Sequence, residues 1–282
     1  MKIREAIQEG TNQLQNNQIP EAKQKIRMLL TSLLKKDKSY LITHEQENLS
    51  KIEEKQYKEG IEKLIHHVPI AYVVQTREFM GLEFGVNSNV LIPQPDTEIL
   101  VEEILRQINE EDSVQILDLC TGSGCIGLSI AYYRKRANVT LTDISKEALE
   151  VAKQNASKLQ VKKNTHFITS NLFQELEKQK KFDVIVSNPP YIETSIINTL
   201  DEEVRKEPTL ALDGGRDGLD FYRKIAKQAP DYLKKDGTLY LEIGYNQKEA
   251  VVTLLQETKQ FFSIQTKKDL AGLNRVIIAK RG

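Results

Sequence analysis

From Val114 to the C-terminus, short apolar runs alternate with longer stretches of helical periodicity, and this alternation constrains the fold more than any other feature. Runs rich in β-branched and aromatic residues predict seven strands, the sixth poorly defined: VQILDLC, NVTLTDI, HFITSN, FDVIVSN, GTLYLEIG, FFSIQTKKDL and RVIIAK. Segments between them, such as SKEALEVAKQNASKLQ, predict helices. The pattern is typical of a doubly wound, mostly parallel α/β sheet that binds ligands at the carboxyl ends of its strands.

The first part of the chain has a different character. In EAKQKIRMLLTSLLKK the apolar residues recur at helical spacing, and shorter helical patterns flank it at Ile3 to Leu14 and near Ile52 to Ile65. The segment REFMGLEFGVNSNVLIP then combines short apolar runs with glycines and Asn-Ser-Asn, which predicts a β-hairpin. We therefore divide the chain into a helical bundle at 1–72, a β-hairpin linker at 73–93 and an α/β domain at 94–282.

Composition indicates a soluble protein of a reducing compartment. Hydrophobic residues make up 39% of the chain, and 40 basic residues balance 40 acidic ones, so no global charge favours nucleic acid or an anionic membrane. No apolar stretch is long enough to cross a bilayer, and MKIREAIQEG lacks the apolar core of a signal peptide. With only Cys120 and Cys125 available for disulfides, we expect a cytoplasmic location.

A glycine-rich loop follows the first strand of the alternating region. Gly122, Gly124 and Gly127 satisfy G-x-G-x-x-G, and the next strand ends at Asp143, which can accept hydrogen bonds from both hydroxyls of a ribose. Together they predict a nucleoside cofactor; the alternative is a tight turn with Asp143 capping a helix. The loop alone fits NAD or S-adenosylmethionine. Asp118 favours the latter, because a carboxylate suits a cationic methionine part and does little for a pyrophosphate.

The fourth strand ends in Asn188-Pro189-Pro190-Tyr191. Proline has no N–H and extends the residue before it, so the tip is stiff and the Pro189 carbonyl is free of the strand ladder. That carbonyl and the Asn188 side-chain oxygen can hold the two N–H groups of a planar amino group, on which Tyr191 can stack. Orienting such a nitrogen toward an electrophilic methyl is a catalytic task, so the pattern favours amino methylation over a rigid surface turn.

Six segments closely resemble the release factor glutamine methyltransferases (PrmC, also called HemK): VLIPQPDTEILVE, DLCTGSGCIGLSIA, TDIS, NPPYI, EPTLALDGGRDGLDFYRKI and DLAGLNRVIIAK. The resemblance covers most of residues 70 to 282. Asn-Pro-Pro-Tyr alone is shared with DNA and RNA amino methyltransferases, whereas ALDGGRDGLDFY is far more specific. The resemblance implies a Rossmann-like class I S-adenosylmethionine-dependent methyltransferase domain, joined by the hairpin to a small accessory bundle.

The implied activity is methylation of N5 of the glutamine in the Gly-Gly-Gln motif of class I peptide-chain release factors, with S-adenosyl-L-methionine as methyl donor. The implied partner is the release factor, gripped by the bundle; neither a membrane nor direct nucleic-acid binding is expected. The resemblance assigns the methionine part of the cofactor to Cys120, Thr121, Gly122, Ser123 and Gly124, the ribose to Asp143, the adenine to Asn171 and Leu172, and the glutamine amide to Asn188, Pro189, Pro190 and Tyr191, with Asn188 also bordering the cofactor.

Some positions depart from the family pattern. Gln94 stands where Arg is usual, so an ion pair made by that Arg is absent. Cys120 replaces a usual Gly, which we expect the loop to accept with a negative φ at this residue. Asn171 and Leu172 stand where relatives can carry Asp and a larger ring; Asn171 can still accept from the adenine amine, but ring stacking is lost.

Other functions compete with this interpretation. The same chemistry would serve a glutamine of a ribosomal protein or a base of DNA or RNA, which must be flipped out or unpaired. An NAD-dependent oxidoreductase and a non-catalytic S-adenosylmethionine sensor are further alternatives. The scattered histidines predict no metal site. We interpret Asp96-Thr97-Glu98 as a helix start capped by Asp96, and GGRDG as a turn into a helix near Leu219.

Overall fold

The computed structural model describes all residues from 1 to 282. The chain forms two compact units: residues 1–76 with 201–206, and residues 77–200 with 207–282. None of the helices has the length and apolar character needed to span a bilayer.

The first unit is helical. Its helices are α1 (Ile3–Asn16), α2 (Ala22–Leu34), α3 (Lys38–Thr43), α4 (Lys51–Ile65) and α5 (Ile70–Val74). The three longer ones confirm the predicted helices, whereas the short α3 and α5 were not predicted. Their apolar faces meet in one core that includes Leu14, Ile26 and Leu64, each almost fully buried. Burial of such stripes supplies most of the stability of short helices.

The segment 201–206 belongs to this helical unit, although its neighbours along the chain belong to the other one. Glu203 pairs with Lys25, whose side chain is only 5% exposed, and Glu202 Oε2 lies 2.7 Å from His67 Nε2. A buried lysine is rare unless it is paired, so the ion pair with Glu203 explains how the Lys25 side chain can be buried.

A two-stranded hairpin, β1 (Thr76–Phe79) and β2 (Leu82–Gly85), precedes the main sheet. The seven strands of that sheet are β3 (Gln115–Leu119), β4 (Asn138–Asp143), β5 (Thr165–Thr169), β6 (Phe182–Ser187), β7 (Leu233–Glu242), β8 (Phe261–Lys268) and β9 (Asn274–Arg281). Their order is β5-β4-β3-β6-β7-β9-β8; the first five are parallel, and β9 runs antiparallel to β7 and β8. The predicted mostly parallel, seven-stranded, doubly wound sheet is thus confirmed.

Helices cover both faces of the sheet, which explains why its central strands are apolar throughout. The helices of this unit are α6 (Glu98–Gln107), α7 (Cys125–Tyr133), α8 (Lys146–Lys158), α9 (Thr209–Leu212), α10 (Asp220–Tyr232) and α11 (Lys248–Glu257). Leu100 of α6 and Leu128 of α7 belong to the core on one face, and Ile225 of α10 and Leu255 of α11 to the core on the other. The strand order changes direction at β3: β4 and β5 lie on one side of it, and β6 and β7 on the other. Ligands bind at such switch points.

The predicted cap of α6 is wrong. A 3₁₀ turn, Pro95–Thr97, precedes the helix, α6 begins at Glu98, and no side chain caps it. Asp96 Oδ2 instead lies 3.0 Å from Nη2 of Arg275 on β9. Asp96 thus pairs with the largely buried guanidinium of Arg275 instead of capping the helix.

Candidate active site

A cavity of about 390 Å³ opens at the carboxyl ends of β3, β4 and β6. Of the residues nominated from sequence, those that line it are Cys120, Gly122, Asp143, Asn171, Leu172, Asn188 and Pro190. Those that do not line it are Thr121, Ser123, Gly124, Pro189 and Tyr191. The sequence did not identify lining residues from five further segments: Ser88 to Leu91 after β2; Ile144, Ser145, Glu147 and Ala148 around the start of α8; Ser170 after β5; Pro208, Leu210 and Ala211 at α9; and Phe221 and Lys224 of α10. This size is typical of a site for a small organic molecule.

The glycine-rich loop is organised by a carboxylate beneath it. Asp118 is fully buried, and its Oδ2 accepts hydrogen bonds from Thr121 Oγ1 at 2.5 Å and from the Gly127 amide at 2.9 Å. Burial raises the pKa of Asp118 to about 7, although these two donors lower it. A Cβ on Gly127 would lie 2.8 Å from that oxygen, so glycine is needed for the contact. We expected Asp118 to meet the cationic end of a cofactor; it instead shapes the loop and does not line the cavity.

Asp143 ends β4 and faces the cavity. Its Oδ2 accepts from the Gly122 amide and its Oδ1 from the Ser145 amide, both at 2.9 Å. Burial raises the pKa of this carboxyl, and the backbone donors lower it. Each carboxylate oxygen still has a lone pair for a hydroxyl. The alternative role of capping α8 falls to Ser145, whose Oγ accepts from the Ala148 amide at 3.0 Å.

Cys120 adopts φ = 57°, so the expectation of a negative φ is wrong. Leu172, on the other side of the cavity, has φ = 53°. Side chains with a Cβ are strained in this region, and two of the eleven non-glycine residues with positive φ border this cavity. Burial raises the pKa of the Cys120 thiol well above its ordinary value, so the thiol is neutral and unreactive.

Asn188 follows β6 directly and lines the cavity. Its Nδ2 donates to Oγ1 of Thr97 at 3.3 Å. With the nitrogen engaged, Oδ1 is the atom of this side chain that is left to accept a hydrogen bond from a ligand. Thr97, part of the acidic group that the sequence attributed to a helix start, is therefore a site residue that sequence reasoning missed.

The backbone of the tip rests on the GGRDG segment. The Ile192 amide donates to the Leu212 carbonyl at 2.9 Å, and the Gly214 amide donates to the Ile192 carbonyl at 2.8 Å. Gly218 has φ = +71°, and a Cβ there would lie 2.4 Å from the Tyr191 carbonyl oxygen. The segment does lead into α10 after Leu219, as predicted, but its glycines are also required by this close approach.

Gln247 joins the tip to the segment after β7. Its Nε2 donates to the Tyr191 carbonyl at 2.9 Å, and its Oε1 accepts from the Gly244 amide at 3.0 Å. The Tyr191 hydroxyl lies near Arg275, which lowers the pKa of Tyr191, and Nη2 of Arg275 lies 2.9 Å from Asp269 Oδ2. Burial raises the pKa of Tyr191, so the ring stays neutral. Nothing in the local sequence around Gln247 or Arg275 indicated these roles.

These residues fit an adenosyl cofactor. Asp143 offers a carboxylate where a ribose would lie, and Ile144, 49% exposed, and Leu172 offer apolar surface beside it. At Gly122 a Cβ would meet no atom within 4 Å, so the loop backbone is open to a close-lying ligand. Phe221 also lines the cavity and is the one aromatic residue that does so.

Two protein-family models match the chain. Residues 92–206 match the methyltransferase small domain, and residues 5–74 match the PrmC N-terminal domain. Among solved structures, a methyltransferase from Pyrococcus furiosus aligns with 72% of this chain and 91% of its own at a TM-score of 0.55 and 18% identity. Likeness at that identity establishes the fold alone.

Curated relatives match the whole chain. The release factor glutamine methyltransferase of Clostridium acetobutylicum is 40% identical over 284 residues, covering 100% of this chain and 99% of that protein. The protein of the same name from Clostridium botulinum is 39% identical over 283 residues, covering 100% of both chains. A bifunctional methyltransferase of Rickettsia felis is 37% identical over 98% of this chain and 57% of its own. The chain therefore belongs to the release factor glutamine methyltransferase family.

Proposed function

We propose that this enzyme transfers a methyl group from S-adenosyl-L-methionine to N5 of the glutamine in the Gly-Gly-Gln motif of class I peptide-chain release factors. The observation that carries the proposal is the state of Asn188: its amide nitrogen is bound to Thr97, and its oxygen remains as an acceptor beside the cavity. The family to which the chain belongs supports the choice of substrate.

The side chains of the tip have to overcome the weak nucleophilicity of an amide. When bound, S-adenosyl-L-methionine supplies an electrophilic methyl and leaves as S-adenosyl-L-homocysteine. Asn188 Oδ1 and the Pro189 carbonyl accept the two N–H groups of the glutamine amide, which aims the nitrogen lone pair at the methyl. The same two oxygens stabilise the positive charge that develops on nitrogen. No strong base is needed, because the amide proton becomes acidic once the C–N bond has formed and is then lost to bulk water.

The remaining nominated residues divide between cofactor and substrate. Cys120 to Gly124 wrap the methionine part, Asp143 accepts from the ribose hydroxyls, and Asn171 and Leu172 border the adenine. Tyr191 stacks on the plane of the glutamine amide, and Pro190 keeps the tip rigid. The cavity lining and the hydrogen bonds to Asp143 support the part of this division that concerns Cys120, Gly122, Asp143, Asn171, Leu172 and Pro190. The roles of the other residues follow from the resemblance to the family.

The helical bundle, residues 1–72, binds the release factor; the hairpin linker, 73–93, connects it to the catalytic domain, 94–282. Within the bundle a groove of about 390 Å³ is lined by both basic and apolar side chains, including Arg4, Arg27 and Ile42. Such a mixture suits a protein partner. The enzyme acts in the cytoplasm, where its substrate works in translation termination.

The test combines purified enzyme, a purified class I release factor and S-adenosylmethionine labelled on the methyl, followed by peptide mass analysis. We expect one added methyl on the Gly-Gly-Gln glutamine. No transfer, in a sample shown by calorimetry to bind S-adenosylmethionine, would contradict the substrate. The search would then turn to ribosomal-protein glutamines and to nucleic-acid bases.

A further inference from the structure

Glu242, the last residue of β7, is a buried glutamate beside the tip that has no role in the function proposed above. Ser187 of β6 pairs with Leu241 of β7 in parallel register, so the next residues of the two strands, Asn188 and Glu242, continue side by side. Glu242 is 2% exposed, and its Oε2 has no hydrogen-bond partner. A buried carboxylate oxygen without a partner is costly, and its presence calls for a functional explanation.

Glu242, Thr97 and Asn188 lie together at the carboxyl end of the sheet. The Thr97 hydroxyl and the Asn188 amide are near enough to the Glu242 carboxyl to act on it as donors and lower its pKa. The Asn188 amide nitrogen also donates to Thr97 Oγ1. The Thr97 oxygen accepts from Asn188, so the single hydroxyl proton of Thr97 is left to be directed at the carboxylate. Two acceptors therefore surround the nitrogen end of the Asn188 side chain.

We propose that Glu242 is a positioning residue for Asn188: its carboxylate, together with the Thr97 hydroxyl that it orients, keeps the Asn188 nitrogen turned away from the cavity and the Asn188 oxygen available to the substrate amide. The two ends of an asparagine amide are nearly equal in shape, so packing alone does not choose between them. The reversed side chain would set an NH₂ group against the substrate NH₂ and its own carbonyl against the carboxylate. This inference rests on the proposed function and adds the residue that fixes its acceptor.

The proposal requires the carboxylate form, because a protonated carboxyl can donate to the Asn188 oxygen and stabilise the reversed side chain. Burial raises the pKa of Glu242 to about 7; the hydrogen bonds from Thr97 and Asn188 and the charge of Arg275 lower it. The charged and titratable groups that face Glu242 are Arg275, Asp96, Tyr191, Tyr222 and Cys125. We therefore expect kcat to rise with pH through about 7. The free energy of unfolding should change with pH in the opposite sense to kcat. The buried Glu242 carboxyl contributes to stability at low pH, and this contribution is lost as pH rises through about 7, because burial raises its pKa.

The experiment is the Glu242→Gln variant, which keeps the size of the side chain and removes its charge. Methyl transfer to the release factor is measured at saturating cofactor from about pH 6 to about pH 9. We expect kcat to fall about tenfold to a hundredfold at high pH, as for a misplaced catalytic group. Cofactor affinity should stay within about twofold, and the kcat step near pH 7 should disappear. The control is Glu103→Gln, a buried glutamate paired with Lys267 at 3.0 Å and outside the cavity lining, which should keep both kcat and its pH dependence.

The decisive experiment is a double-mutant cycle that combines Glu242→Gln with Asn188→Ala. If Glu242 acts through Asn188, Glu242→Gln adds no further loss of kcat once Asn188 is alanine. An equal loss in both backgrounds, or a wild-type kcat in the single variant, would overturn the proposal. If Glu242→Gln does not fold, Glu242→Asp, which withdraws the carboxylate by one methylene, enters the same cycle. Absence of transfer by the wild-type enzyme itself would overturn the proposed function, and this inference with it.

Discussion

The glycine-rich loop at 118–127 and the tip at 188–191 follow neighbouring strands, yet they are stabilised over very different distances along the chain. In the loop, Asp118 bonds to Thr121 and Gly127, three and nine residues away. In the tip, Asn188 bonds to Thr97, 91 residues away, and Tyr191 bonds to Gln247, 56 residues away. The loop also has distant partners, since the Gly122 amide donates to Asp143 and the Ser123 carbonyl accepts from Asn155, but its buried carboxylate bonds within the same segment. The side-chain partners of the tip all come from distant segments.

This difference has a functional counterpart. Asp118 shapes the loop through residues of the same segment, and Asp143 joins the loop to the end of β4, where we propose that the cofactor lies. The proposed reaction needs two acceptors of the tip to be held in one orientation, and the partners of the tip are Thr97, just before α6, and Gln247, just before α11. Substitutions around the loop should therefore change cofactor affinity, and substitutions around the tip should change kcat.

The largest effect is expected at the tip. Asn188→Ala should lower kcat about a hundredfold or more, because a preorganised hydrogen-bonding group is lost, while the protein stays folded and still binds the cofactor. Methyl transfer to the release factor and calorimetry with S-adenosylmethionine measure the two quantities. Asn164→Ala, the same substitution away from the cavity, should leave kcat unchanged. Near-normal turnover of Asn188→Ala would remove Asn188 from the reaction.

At the end of β4 the expected effect falls on affinity. Asp143→Ala should weaken cofactor binding by about 1.5–3 kcal/mol through the loss of charged hydrogen bonds. Asp183→Ala, near the start of β6 and paired there with Lys234, should leave that affinity unchanged. Calorimetry measures the cofactor affinity of both variants. Equal cofactor affinities of Asp143→Ala and Asp183→Ala would show that Asp143 does not hold the ribose.

A smaller effect separates support of the tip from contact with the cofactor. Gln247→Met removes the hydrogen bonds to the Tyr191 and Gly218 carbonyls but keeps most of the side-chain volume. We expect kcat to fall about tenfold through misplacement of the tip, with cofactor affinity unchanged. A loss of affinity with kcat preserved would break the division between the two regions.

The smallest effect tests the strain in the loop. At an ordinary φ, alanine is more stabilising than glycine by about 0.5–1 kcal/mol. Because Cys120 has a positive φ, Cys120→Gly should instead have the higher free energy of unfolding, by about 0.5–1 kcal/mol over Cys120→Ala. Denaturant titration measures the free energy of unfolding of the two variants. If Cys120→Ala were the more stable, the positive φ at this position would not be strained.

Much of the fold could be predicted because its signals are local. Strand runs, helical periodicity and the glycines before α7 each lie within a few residues, and all seven strands of the sheet occur where the sequence predicts them. The residues before α6 show the limit of such signals. A carboxylate before a helix resembles a cap, but Asp96 pairs with Arg275, which the chain supplies almost 180 residues later.

By itself the sequence determined the sheet, the loop around Gly122 and the stiff Asn-Pro-Pro-Tyr tip, since glycine and proline restrict the backbone wherever they occur. Only the tertiary structure decided that Thr97 and Gln247 hold the tip, that Glu242 lies beside Asn188, and that Asp118 is used within the loop. The physical reason is that a buried polar group must find a partner, and which partner it finds depends on strand order and register. No short stretch of the chain contains that information.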